Sequence, residues 1–158
     1  MCSPVEKELN ELIHLTDKKI LFVGIGNVLK SDDGVGVFIS KNIRRSQNID
    51  VLTVEVSIEN YIGKINSLHP DILVLIDSAE LGSKPGTYKF LHLNDIQDLT
   101  FNTHNISLKR LSEFFLMPVF ILGIQPGSLD FGETISYIVA KTASLIINLI
   151  NKEADYGK

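Results

Sequence analysis

The chain has 158 residues, 44% of them hydrophobic, which fits one domain with a substantial core. Its net charge of −4 argues against a nucleic-acid binder, which needs a basic face. The single cysteine, Cys2, cannot form an internal disulfide, and no basic and apolar leader opens the chain, so a cytoplasmic globular domain is expected.

In chain order, Ser3-Pro4 reads as a helix start, and Val5, Leu9, Leu12 and Ile13 share one face of a helix ending near Leu15. Residues 1–17 thus add a helix ahead of the main fold. The apolar run from Lys19 to Gly24 is a buried strand. It leads into the turn Gly24-Ile-Gly-Asn27 and then to two adjacent acids, Asp32 and Asp33. A helix follows from Gly34 to Arg45, with Val35, Phe38, Ile39 and Ile43 turned inward. Val51–Val56 is a second strand with Glu55 near its end. Glu59–Leu68 is a second helix with Tyr61, Ile62, Ile65 and Leu68 on one face.

Asp71–Asp77 has a continuous apolar centre, as a strand buried on both faces of a parallel sheet would. Thr87–Leu91 follows without a crossover helix, which favours an antiparallel edge strand. Thr103 or Asn105 could cap a helix reaching Phe115, which would set His104 at its positive end. Val119–Gly123 is a further strand, leading to Ile124-Gln125-Pro126. The last helix is expected over Glu133–Lys152, with Ile135, Ile138, Val139, Thr142, Leu145, Ile146 and Leu149 at helical spacing and a frayed tail over Glu153–Lys158. Lys141 and Asn148 interrupt its apolar stretch, so it reads as a packed helix and not a membrane span.

The pattern predicts an α/β fold. A doubly wound, mostly parallel five-stranded sheet of order 2-1-3-5-4, with strand four antiparallel, carries helices on both faces. Strands one and three are then neighbours from which the chain winds in opposite directions. Their carboxyl ends form the switch point where ligands bind, and Asp32, Asp33 and Asp77 fall there.

Asp33, Asp77 and His104 could meet at that edge, and two carboxylates with one imidazole suit a divalent transition metal. Plainer readings stand beside this one. Asp32-Asp33 could cap a helix, Asp77 could form a turn, His104 could be a surface residue, and Asn27 and Gln125 could bond only loop backbone. An aspartic dyad of Asp33 and Asp77 is conceivable but leaves His104 without a role. Gly24-x-Gly26-x-x-Leu29 partly fits a dinucleotide fingerprint, with Glu55 where a ribose-binding acid would sit.

The stretch Gly24-Ile-Gly-Asn-Val-Leu-Lys-Ser-Asp-Asp-Gly-Val-Gly36 resembles the signature of hydrogenase maturation endopeptidases. Asp77-Ser-Ala79 and Thr103-His-Asn-Ile-Ser-Leu108 resemble their second and third motifs. Gly123-Ile-Gln-Pro126 is similar to a segment of the hydrogenase 3 branch. The resemblance runs over about residues 18–150 and leaves out the added N-terminal helix. It implies a doubly wound α/β fold and an endopeptidase that removes the C-terminal extension of a nickel–iron hydrogenase large-subunit precursor once nickel is in place. It maps nickel recognition onto Asp33, Asp77 and His104, the first being glutamate in some members. It also implies nickel carried by the substrate. Gly26, Asn27, Asp32, Gly34 and Gln125 are read as a supporting loop, and the net charge and the interrupted apolar stretch leave neither nucleic acid nor membrane as an expected partner. The competing reading is a metal-sensing chaperone of the large subunit that does not cut.

Overall fold

The computed structural model describes residues 3–15, 17–95, 100–101 and 108–156. Helix α1 (Pro4–Ile13) opens on a reciprocal cap: the Glu6 N–H donates to the Ser3 hydroxyl, and the Ser3 N–H donates to the Glu6 carboxylate. The chain then forms β1 (Ile20–Ile25), a 3-10 turn over Ser31–Gly34, α2 (Val35–Asn42) and β2 (Ile49–Glu55). A second 3-10 turn, Ile58–Tyr61, leads into α3 (Ile62–Ser67), followed by β3 (Ile72–Glu80), β4 (Tyr88–His92), β5 (Thr100–Phe101) and α4 (Leu108–Leu111). β6 (Val119–Ile124) and α5 (Tyr137–Tyr156) complete the fold.

The sheet order is β2-β1-β3-β6-β4, with β4 antiparallel to β6 and the other neighbours in that row parallel. With the two-residue β5 set aside, this is the predicted five-stranded sheet and the predicted strand order. β5 pairs antiparallel with the far end of β3, at Ala79 and Glu80.

The apolar runs of β1 and β3 are buried on both sides, and their side chains divide by alternation. Phe22, Val74 and Ile76 join a core that includes Leu9 of α1, Ile39 of α2 and Ile146 of α5. Val23, Leu73 and Leu75 join a second core with Ile58, Ile65 and Phe115. Helix α2 lies close on the strands because two positions lack a side chain. A Cβ on Gly36 would strike the carbonyl oxygens of Ile25 and Ile76, and one on Gly24 would strike Ser40.

Several boundaries differ from the sequence-based expectation. β3 runs to Glu80 and does not stop at Asp77, because β6 and β5 continue to supply it with partners. α2 ends at Asn42, three residues early. Asn151 of α5 accepts from the Arg44 N–H at 2.8 Å and donates to the Asn42 carbonyl at 2.9 Å, so the backbone there bonds to α5 and no longer to its own helix. Phe38, expected inside, is 39% exposed, while Val37 is buried. Of the predicted face of the second helix only Ile65 is fully buried, and Leu68 is exposed. α5 starts at Tyr137 and buries Val139, Ala143, Ile146 and Ile150, leaving Ile138 and Leu145 outward. Its helix continues to Tyr156, through residues expected to fray. Among the described residues no helix is long and apolar enough to cross a membrane.

Candidate functional site

The site is built at the carboxyl ends of β1 and β3. After β1 the chain turns at Gly26, whose φ of +152° and closeness to the Asp33 carbonyl exclude a side chain. The Gly26 N–H donates to the carbonyl of Glu55, at the end of β2, and so fixes the loop to the sheet. Asn27 then makes a local turn: its side-chain oxygen accepts from the Leu29 N–H at 3.0 Å. The next 3-10 turn carries both acids inward, and Asp32 and Asp33 are buried.

The two adjacent acids do different things. The Asp32 carboxylate accepts from the Ser136 N–H (2.7 Å) and hydroxyl (2.7 Å), and from the N–H groups of Gly127 (2.8 Å) and Ser128 (3.0 Å). Burial alone would raise its pKa, but these bonds outweigh it and hold the carboxyl below the ordinary aspartate value. Asp32 is therefore committed to tying the β6–α5 loop to the β1–α2 loop. Asp33 faces the other way. Its Oδ2 accepts from the Asn27 N–H at 3.2 Å, and its Oδ1 from the Ser78 hydroxyl at 2.6 Å.

Asp77 lies in β3, fully buried, at the position paired with Gly123. Its Oδ1 accepts from the Ser78 N–H at 2.8 Å. Ser78 thus bonds both acids, through its hydroxyl to Asp33 and through its backbone to Asp77. The parallel pairing of β1 with β3 brings the two together across 44 positions of sequence. Nothing in the residue type singled out Ser78, although it sits inside the quoted Asp77-Ser-Ala79 motif.

His104, with Thr103 and Asn105, lies outside the described residues. Among the described residues no group of three or more His, Cys, Asp or Glu stands ready to hold a metal. Asp33 and Asp77 supply two oxygen-donor residues, a set that suits a divalent ion completed by other ligands.

Gln125, just past the end of β6, is buried and bonded to the last residue of β3 and the one after it. Its Oε1 accepts from the Leu81 N–H at 2.6 Å, and its Nε2 donates to the Glu80 carboxylate at 3.0 Å. Gly34 is the N-cap residue of α2, packed against the backbone of Val28. The dinucleotide reading finds no support in this geometry: two buried carboxylates stand just ahead of α2, where a pyrophosphate would need free N–H donors. Glu55 is exposed, in a left-handed backbone conformation with φ of +56°.

Fold and site together define a doubly wound α/β protein with a carboxylate centre at its switch point. The family model for hydrogenase maturation proteases of the HycI type matches residues 35–153, opening two residues after Asp33 and spanning Asp77. The hydrogenase 3 maturation protease of Escherichia coli is 27% identical over 113 residues, covering 68% of this chain and 72% of that one. The crystal structure of the nickel–iron hydrogenase maturation protease HycI from Thermococcus kodakarensis shares the fold, with a TM-score of 0.81 and 24% identity over 94% of this chain and 99% of that one. The solution structure of the endopeptidase HycI from Escherichia coli aligns at a TM-score of 0.73 with 25% identity, covering 85% of this chain and 90% of that one. The chain belongs to the hydrogenase maturation protease family, and is accordingly a peptide hydrolase.

Proposed function

We propose that this chain removes the C-terminal extension from the large-subunit precursor of a nickel–iron hydrogenase after nickel has been inserted. The observation that carries the reading is the pairing of two buried carboxylates, Asp33 and Asp77, on one serine at the switch point of a chain of this family. The nickel arrives as part of the substrate. Asp33, Asp77 and His104 take open positions on it and thereby set the scissile peptide bond at the sheet edge. Water for the attack is activated at the metal or by one of the two carboxylates. A precursor without nickel leaves the acids without their counter-charge, which supplies the discrimination.

The test is mass spectrometry of a large-subunit precursor incubated with the chain, with and without nickel loaded. Loss of the extension only when nickel is present supports the reading. Asp33→Asn, Asp77→Asn and His104→Ala should each abolish the mass loss with the fold intact, and full processing by any of them removes that residue from the mechanism. Stable binding without cleavage would favour a metal-sensing chaperone.

A further inference from the structure

The two loops that Asp32 ties together form a hydrogen-bonded ridge beside the acids, and its exposed side chains include four apolar ones. Lys30 pairs with Gly132 as a short parallel bridge. The Gly132 N–H donates to the Leu29 carbonyl at 2.9 Å, the Ser31 N–H to the Gly132 carbonyl at 2.7 Å, and the Asp32 N–H to the Ser128 carbonyl at 3.1 Å. The Ser31 hydroxyl adds a bond of 2.7 Å to the Asp130 carbonyl. Ser31 is itself held in a left-handed conformation, φ +52°, a strain that the surrounding bonds maintain.

On this ridge Phe131 is 89% exposed and Leu29 52%, and Val28 and Leu129 are each 37% exposed. Leu29 and Phe131 each sit one residue before the paired positions Lys30 and Gly132, so the bridge brings them to neighbouring places on the ridge. The ridge is also continuous with the acid centre. The Asp33 N–H donates to the Lys30 carbonyl at 3.1 Å, and Asn27, next to Val28, donates to the Asp33 carboxylate. Leu29 thus lies two residues from Asn27, a direct partner of Asp33, so a substrate bound at Asp33 lies beside the ridge.

We infer that Leu29 and Phe131 are specificity-determining residues that dock an apolar patch of the protein substrate beside its cleavage site. The inference rests on the proposed function and adds the surface by which the folded precursor is held, as distinct from the groups that meet nickel. A ridge whose backbone is held by several hydrogen bonds has less conformational freedom to lose on association, which suits an aromatic docking element.

The experiment is steady-state cleavage of a nickel-loaded large-subunit precursor by the wild-type chain, Phe131→Ser and Leu116→Ser, with thermal melts of all three. Leu116 is 78% exposed but precedes β6, at the opposite end of the sheet from the acids. Phe131→Ser should raise KM at least ten-fold, with kcat within two-fold and an unchanged melting midpoint, while Leu116→Ser should match wild type. An unchanged KM in Phe131→Ser overturns the inference and leaves the proposed function standing. A fall in kcat alone also overturns it, by placing Phe131 in the chemistry. A wild-type dimer that Phe131→Ser dissociates, with KM unaltered, would assign the ridge to self-association and reject it. No cleavage by the wild-type chain would overturn the proposed function and this inference with it.

Discussion

Asp32→Asn tests whether the β6–α5 loop is held by one carboxylate. In the folded chain Oδ2 accepts three hydrogen bonds and Oδ1 one. An asparagine that keeps its oxygen at the Oδ2 position retains the three, but they lose the charge that roughly doubles their strength. Its amide then faces the Ser136 N–H, donor against donor, and a buried unpaired donor costs about 1–3 kcal/mol. Burying an amide costs less than burying a carboxylate, which offsets part of the loss. A net destabilisation of about 2–4 kcal/mol follows, a fall in melting midpoint of roughly 5–12 °C for a chain of this size. Urea unfolding at pH 7 and differential scanning calorimetry measure it. The pH dependence gives a second check. Because the folded pKa of Asp32 lies below its unfolded value, its contribution is fully present above the unfolded pKa, about 4, and is lost as pH falls through the folded pKa. The gap between wild type and Asp32→Asn should therefore narrow on acidification below pH ~4. A gap under about 0.5 kcal/mol at pH 7, or one that does not narrow in acid, refutes the role given to these bonds.

Two other substitutions probe the same edge of the sheet. Ser78→Ala removes the hydroxyl that donates to Asp33 and should lower stability by about 1–3 kcal/mol in urea unfolding and reduce precursor cleavage; wild-type values of both would mean that the 2.6 Å contact does not hold Asp33. Gly36→Ala drives a methyl into the carbonyls of Ile25 and Ile76 and should cost about 1–3 kcal/mol or more as α2 is pushed off the sheet; an unchanged urea midpoint would refute the tight seat of α2.

The sheet was legible because its signals are local or combinatorial. The unbroken apolar centre of β3 demands burial on both faces, and β3 does divide its side chains between two cores. The lack of a crossover helix before β4 fixed its antiparallel direction. The adjacency of β1 and β3, once assumed, brought Asp33 and Asp77 to one edge. What failed to show was long-range. The α5 start was misplaced because Ser136, which local pattern put inside the helix, gives its N–H and hydroxyl to Asp32, 104 residues away. The α2 end was misplaced by Asn151, which takes over its backbone from 107 and 109 residues away. The division of labour between Asp32 and Asp33 was equally hidden. Adjacent identical residues carry no mark of which one faces a serine in β3 and which a loop after β6.

That division bears on why a maturation protease would hold three buried carboxylates at one edge. Burying an ionised carboxylate is expensive unless donors surround it. Asp32 has four, enough to occupy its acceptor sites, and its charge is spent on architecture. Among the described residues Asp33 has two donors, Asn27 and Ser78, and it shares Ser78 with Asp77, a second buried acid. On the proposed function, a divalent ion presented by the substrate gives these two acids a counter-charge, and a peptide without the ion does not. The discrimination between loaded and unloaded precursor then lies in whether Asp33 and Asp77 meet that counter-charge. The saturated Asp32 holds the surrounding loops fixed around Asp33 and Asp77.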